Sequence, residues 1–107
     1  MEIVGKGKVL RVFLGENTLW ESRPLHEVIV EKALEEGMAG ATVTKGEEGF
    51  GAASRIRKVR ALRSTHLPVV VEIADKEERI AKFIPILEKM VDKGMVYQED
   101  IEILIYK

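Results

Sequence analysis

Residues 40–74, GATVTKGEEGFGAASRIRKVRALRSTHLPVVVEIA, decide how this chain folds. The stretch starts with GATVTK at 40–45 and ends with LPVVVEIA at 67–74, and both ends have the β-branched composition of strands. Between them, three glycines are followed by arginines and lysine, and no acidic side chain occurs from residue 49 to residue 71. The stretch predicts two strands joined by a mobile, basic arm, which we define as residues 46–66.

Upstream of this stretch, the sequence predicts a strand and then a helix. Residues 8–14 (KVLRVFL) are β-branched and aromatic, as strands are. Ser22 is a candidate N-cap, and Pro24 suits the first helical turn. Apolar side chains then recur at helical spacing from Leu25 onward, and Gly37 supplies a stop signal.

Downstream, the sequence predicts a second helix and a final strand. Asp75 and Glu78 form an Asp-x-x-Glu start signal related to the capping box. Apolar side chains keep the helical period over residues 80–92, and Pro85 predicts a kink because it removes one backbone hydrogen bond. Isoleucines at 101, 103 and 105 alternate with Glu102, Leu104 and Tyr106, which predicts the last strand.

The predicted order of elements is β-α-β followed by β-α-β, which is typical of a ferredoxin-like α+β sandwich. In that fold a four-stranded antiparallel sheet carries both helices on one face. The strand at 67–74 is apolar on both faces: Val69, Val71 and Ile73 point one way, and Val70 and Ala74 the other. Since no further helix remains to cover the second face, we expect another copy of the chain to cover it. The expectation is one domain over residues 1–107 in an obligate homo-oligomer.

Composition excludes several classes of protein. The chain has 107 residues, 33% charged and 46% hydrophobic, which fits one globular core. The absence of cysteine excludes disulfides, thiolate metal sites and a cysteine nucleophile. No apolar run is long enough to cross a bilayer, and the first residues lack a signal-peptide core, so we expect a cytoplasmic protein.

No catalytic or metal-binding constellation is evident in the sequence. His26 and His66 lack a second ligand at metal-binding spacing, so no metal is expected. The serines lack both a nucleophile-elbow setting and an evident base. We therefore predict that the protein is not an enzyme.

Two features of the arm suggest binding. The glycines of GEEGFG, residues 46–51, allow backbone N–H groups to form a concave anion nest, although the same glycines also suit a hinge. A transient helix over residues 52–63 would place Ile56, Val59 and Leu62 on one stripe between basic residues. That pattern suits a partner groove, nucleic acid or a membrane surface, and the alternative is a solvated loop.

Residues 40–51 resemble a stretch of the PII signalling proteins, in which G-x-T-V-T is followed by G-F-G at the base of the T-loop. The chain is similar over about residues 8–106 to the PII-like family known as domain of unknown function 190, or uncharacterised protein family 0166. The resemblance rests on LRVFLGE, PLHEVIVEKALEEGMAGATV, GEEGFG and LPVVVEIAD, which occur in that order.

The resemblance implies a homotrimer that binds an adenine nucleotide (AMP, with ADP or ATP as alternatives) in clefts between subunits. The implied nucleotide-binding residues are Thr42, Lys45, Gly46, Gly49, Phe50 and Gly51, with Arg11, Arg55 and Arg57 assisting at the phosphates. The arm would report occupancy of the cleft to a protein target, with a membrane transporter as one candidate.

Two departures from the PII pattern favour AMP over ATP. Residues 91–100, VDKGMVYQED, lack the glycine- and lysine-rich loop that holds the outer phosphates in PII proteins. The C-terminus, ILIYK, lacks the arginines of the PII last strand.

Two other functions remain open from the sequence. The arm suits a nucleic-acid-binding module, but the net charge is −1 and the six aromatic residues form no stacking row, so no nucleic acid is expected. A small phosphohydrolase would need a nucleophile or metal cluster that the sequence does not show.

Overall fold

The computed structural model describes residues 3–51, 57–58 and 67–107, with only the backbone of residues 57 and 58. Its elements, in chain order, are β1 Gly5–Gly15, β2 Leu19–Trp20, β3 Arg23–Pro24, α1 Leu25–Glu35, β4 Ala41–Lys45, β5 Glu48–Gly49, β6 Arg57–Lys58, β7 Pro68–Lys76, α2 Glu77–Met90 and β8 Met95–Ile103. Neither described helix is long and apolar enough to span a membrane.

Four of these strands form one antiparallel sheet in the order β4-β7-β1-β8. The central strand β1 pairs with β7 from Gly7↔Lys76 to Gly15↔Pro68, and with β8 along its other edge. Both helices pack on one face of the sheet. The predicted ferredoxin-like α+β fold is confirmed.

The core lies between this sheet face and the helices. It contains side chains from β1 (Leu10, Val12, Leu14), β7 (Val69, Val71, Ile73), α1 (Leu25, Ile29, Ala33) and α2 (Ile80, Phe83, Leu87, Met90). Burying each large aliphatic side chain contributes roughly 1.5–3 kcal/mol. Because side chains alternate along a strand, these residues fix which face the helices cover.

The other face of the sheet, which we call the open face, has no helix over it. Alternation places Phe13 of β1 and Val70 of β7 there as direct cross-strand partners, and both are half-buried. Beside them on β8, Met95 is 58% exposed and Tyr97 is 38% exposed. The prediction that the strand at 67–74 presents apolar side chains on both faces is confirmed.

Asp75 does not cap α2 as predicted. Its carboxylate is fully buried and accepts hydrogen bonds from the Ala39 N–H (2.9 Å), the Lys76 N–H (2.7 Å) and the Arg79 Nε–H (2.9 Å). Arg79 also donates to the Gly37 carbonyl. The helix starts at Glu77 without a side-chain cap because this carboxylate instead joins the α1–β4 connection to the β7–α2 junction.

The prediction that Ser22 caps the first helix is also wrong. Ser22 and Glu21 form the turn of the β2–β3 hairpin, with φ of +71° and +47°. Pairing of Trp20 with Arg23 closes that hairpin and holds Ser22 away from the helix, which starts after Pro24 with no side-chain cap. Gly37, with φ of +73°, follows the end of α1 as predicted.

The last strand starts six residues earlier than predicted. β8 covers Met95–Ile103, whereas the alternating pattern placed the strand at 101–106. All nine residues pair with β1, so backbone pairing to the central strand extends β8 over a segment with no clear alternation. Pro85 lies inside α2, which continues on both sides of it, and the kink stays a prediction.

Only part of the arm lies within the described residues. β5 and β6 form a two-stranded ladder with the pairs Glu48↔Lys58 and Gly49↔Arg57. Residues 52–56 and 59–66 lie outside the described residues, so the predicted mobility of the arm and its transient helix stay predictions.

We expect Asp75→Asn to lower the free energy of unfolding by about 2–4 kcal/mol, because the substitution leaves the Arg79 guanidinium without its buried counter-charge. Urea unfolding followed by far-UV circular dichroism at fixed subunit concentration measures this loss. Asp92→Asn, which removes the same charge at an exposed site, is the matched control and should change stability by less than about 0.5 kcal/mol. Equal effects of the two substitutions would contradict the role of Asp75.

We expect Gly94→Ala to destabilise the fold by about 1–3 kcal/mol. A Cβ on Gly94 would lie 2.6 Å from the Phe13 carbonyl oxygen, and its φ of +149° is unfavourable for a side chain. Gly40→Ala is the control, because a Cβ there meets nothing within 4 Å and φ is not positive. Thermal unfolding of both variants should show a loss in Tm only for Gly94→Ala.

Candidate functional site

The two ends of the arm meet at the edge of the sheet. The last residue of β4, Lys45, is the cross-strand partner of Val69 in β7, and the next N–H along the chain, that of Gly46, donates to the Pro68 carbonyl at 2.7 Å. This bond extends the β4–β7 ladder into the start of the arm. We call the described residues around it, 45–51 and 67–68, the arm base.

The first two glycines of GEEGFG pack against the Pro68 ring. A Cβ on Gly46 would lie 2.8 Å from Pro68 Cγ, and one on Gly49 would lie 3.2 Å from the same atom. Among the described glycines, the positive φ values belong to Gly5, Gly37 and Gly94. Close approach to proline, and not a left-handed backbone, therefore favours glycine at 46, and to a lesser degree at 49.

Glu16, which follows β1, contacts both ends of the arm. Its carboxylate pairs with Lys45 Nζ at 2.5 Å, and its backbone N–H donates to the Leu67 carbonyl at 2.8 Å. The Lys45 ammonium, together with a hydrogen bond to the Leu67 backbone, lowers the pKa of the Glu16 carboxyl. Lys45 is thus the predicted site cation that the structure places at the arm base.

Thr42 lies on the open face in a row that crosses all four strands. Its cross-strand partner is Glu72 of β7, which faces Arg11 of β1, which in turn faces Tyr97 of β8. Thr42 is exposed, so its hydroxyl is accessible from outside the subunit. The row connects the predicted base-binding residue of β4 to the centre of the open face.

Arg11 is held within this row by two carboxylates. Its Nε donates to Glu72 at 2.8 Å, and its Nη1 donates to Glu99. Its guanidinium carbon lies 5.7 Å from the centroid of the Tyr97 ring, which stacks on Phe13 at 5.4 Å. Hydrogen bonds to Glu72, Tyr97 and Glu99 raise the pKa of Arg11 above its ordinary value. The charge of Arg11 is therefore compensated inside the subunit, and its predicted role at a phosphate stays a prediction.

The structure describes the remaining predicted site residues to different extents. The Phe50 side chain is 75% exposed beside the glycines. Arg57 is described through its backbone, which pairs with Gly49, and Arg55 lies outside the described residues. The structure thus brings Lys45, Gly46 and Gly49 together and places Arg11 two strands away from Thr42.

Sequence reasoning did not identify the acidic residues that hold the site cations. Glu16, Glu72 and Glu99 each pair with a cation distant in sequence, so no local motif marks them. Glu72 did carry a signal, because it is a lone charge in the apolar run VVVEIA. Within the described part of the chain, no three acidic or histidine side chains come together as potential metal ligands.

The connection between α2 and β8 is short. It consists of residues 91–94, and Gly94 approaches the β1 backbone closely at its end. Residues 91–100, VDKGMVYQED, stand where PII proteins have their phosphate-binding loop. Most of this segment therefore belongs to strand β8. An apolar groove of about 410 Å³ lies between α2 and β8 and is lined by residues such as Ile84, Leu87 and Val96.

The fold matches those of solved PII-like proteins. A putative PII-like signalling protein from Thermus thermophilus superposes with a TM-score of 0.69 at 17% identity, over 95% of this chain and 93% of that chain. CPII, a nitrogen regulatory PII-like protein from Thiomonas intermedia solved with ADP, AMP and bicarbonate, superposes with a TM-score of 0.63 at 18% identity, over 92% and 88%. At these identities the likeness shows the fold alone.

Sequence comparison identifies relatives over nearly the whole chain. The UPF0166 protein of Aquifex aeolicus is 42% identical over 105 residues, which cover 94% of this chain and 96% of the relative. A UPF0166 protein of Methanocaldococcus jannaschii is 31% identical over 96 residues, which cover 89% of each chain. The profile of the DUF190 family, described as "Uncharacterized ACR", matches residues 7–103. The chain belongs to the DUF190 (UPF0166) family.

Proposed function

We propose that this protein is a non-catalytic PII-like regulator that binds an adenine nucleotide in clefts between the subunits of a homotrimer. AMP is the favoured ligand, and the arm carries the signal to a protein target. The observation that carries the proposal is that both ends of the arm and the Lys45 ammonium meet at the sheet edge formed by β4, the strand that also carries Thr42.

The choice of an adenine nucleotide is supported by proteins of the same fold. CPII has been solved with ADP and bicarbonate, and with ADP, AMP and acetate. In this chain Thr42 and the apolar strand ends near it would hold the base. The ammonium of Lys45 and the backbone N–H groups of Phe50 and Gly51 would take the first phosphate, since the Gly46 N–H already bonds Pro68, and Glu48 and Gly49 pair with β6.

The open face supports the proposed association of subunits. Phe13 and Val70 are half-buried in a single subunit, and Met95 and Tyr97 of the edge strand β8 are more exposed. Two packed helices cover only the opposite face, so a neighbouring copy is the available cover for this apolar surface. A cleft between copies would then contain the exposed Thr42 hydroxyl and the arm base.

AMP is favoured because the described residues offer few groups to outer phosphates. The α2–β8 connection spans four residues, 91–94, and Arg11 is already paired with two carboxylates. An additional phosphate would lose hydration in the cleft without gaining a matching cation there. Arg55 and Arg57 of the arm are the predicted residues that would reverse this preference.

We expect light scattering to give the mass of three 12.0 kDa chains at micromolar concentration. Val70→Lys, which introduces a charge beside Phe13 on the open face, should shift the protein toward the monomer mass. Ala81→Lys introduces the same charge at an exposed position of α2 and should leave the trimer intact. A monomer mass for the unmodified protein would contradict the proposed assembly.

We expect AMP to bind at least as tightly as ATP in calorimetric titrations of the full chain, because the outer phosphates find no dedicated cations among the described residues. In the double variant Arg55→Ala/Arg57→Ala, ATP should lose any remaining affinity that the arm supplies, while AMP should change by less than about threefold. Lys82→Ala/Lys89→Ala removes two exposed charges from α2 and serves as the control. A clear ATP preference that survives the arginine substitutions would show that the phosphate site lies elsewhere.

A further inference from the structure

Glu16 is a residue that contacts the start and the end of the arm together. Its carboxylate bonds Lys45 at 2.5 Å at the start, and its backbone N–H bonds the Leu67 carbonyl at 2.8 Å at the end. The two arm ends are also linked directly, from the Gly46 N–H to the Pro68 carbonyl at 2.7 Å. Glu16 thus links the two sides of the arm base in addition to the direct bond between Gly46 and Pro68.

The Glu16–Lys45 pair is partly shielded from solvent on the carboxylate side. The Glu16 side chain is 19% exposed, whereas the Lys45 side chain is 57% exposed. The favourable surroundings of the carboxylate are also seen in its pKa, which hydrogen bonding to Lys45 lowers. Lys45 is therefore the more accessible member of the pair, and Glu16 is the more enclosed one.

We propose that Glu16 is a positioning residue of the nucleotide site: it holds Lys45 while the site is empty, and a phosphate monoester competes with it for the Lys45 ammonium. This proposal rests on the proposed function for the identity of the ligand. The competition follows from charge, because a phosphate that approaches Lys45 also approaches the negative Glu16 carboxylate. Moving the ammonium to the phosphate removes the side-chain link between Glu16 and the start of the arm.

The consequence for regulation is confined to the described arm base. When the Lys45 ammonium pairs with Glu16, residue 16 is bonded to both ends of the arm. When the ammonium pairs with a phosphate instead, residue 16 keeps only its hydrogen bonds to Leu67. Phosphate binding would then change how firmly the start of the arm is joined to its end. The signal would thus begin at the exchange of one ion pair.

The test uses two ligands that differ in the phosphate, AMP and adenosine, titrated calorimetrically into the full chain. Glu16→Gln removes the competing charge, so it should bind AMP about two- to fivefold more tightly than the unmodified protein and bind adenosine equally well. Glu78→Gln removes the same charge from an exposed residue of α2, away from the arm base, and should leave both affinities unchanged. If Glu16 had only a structural role, the substitution would change the affinities for AMP and for adenosine by the same factor.

Hydrogen exchange without ligand supplies a second readout that does not depend on nucleotide binding. Peptides that contain residues 45–49 and 67–70 should exchange faster in Glu16→Gln, and should exchange at the unmodified rate in Glu78→Gln. If neither ligand binds the unmodified protein, the proposed function fails, and the exchange rates alone then support or refute the role of Glu16 at the arm base.

Three results would overturn the inference. One is unchanged exchange in Glu16→Gln. Another is AMP binding to the unmodified protein with no gain in Glu16→Gln. The third is an equal gain for AMP and adenosine, which would show that Glu16 acts on the whole cleft and not on the phosphate.

Discussion

The structure depends on a mismatch between the sheet and the elements available to cover it. β1 and β7 carry apolar side chains on both faces, but α1 and α2 pack on the same face. The helix face supplies the core, and the open face keeps the apolar Phe13 and Val70 beside the Arg11–Glu72 ion pair and the β8 side chains. A protein of this design gains further apolar burial only by association, which is why the proposed ligand site is placed between subunits.

Charged side chains then join segments that the core does not reach. Asp75, buried at the end of β7, fixes the α1–β4 connection through Ala39 and fixes Arg79 in turn. Glu16 does the same at the opposite end of the sheet, where β4 leads into the arm and β7 leads out of it. These two carboxylates fix the connections before and after β4, which carries Thr42 and Lys45 and is itself paired with β7. The candidate site is therefore positioned by strand pairing together with side-chain contacts between segments distant in sequence.

The fold was predictable because its signals are periodic. Helical spacing located α1 and α2, and two-faced apolar strands indicated both the sheet and its uncovered side. The predictions that failed concern segments in which strand pairing, and not the local sequence pattern, determines the structure. Ser22 has the composition of a helix cap but is held in a hairpin turn, and β8 is extended to Met95 by its register with β1.

The site was partly predictable from GEEGFG and its resemblance to PII proteins. Glu16, Glu72 and Glu99 were not predictable, because each finds its cation only after strands far apart in sequence are aligned. A crystal structure of the protein with AMP tests the central claim most directly. The account predicts a trimer with AMP in each cleft between subunits, the base beside Thr42, and the phosphate within hydrogen-bonding distance of Lys45 and the backbone of Phe50 and Gly51. AMP enclosed within a single subunit, or bound away from β4 and the arm base, would contradict it.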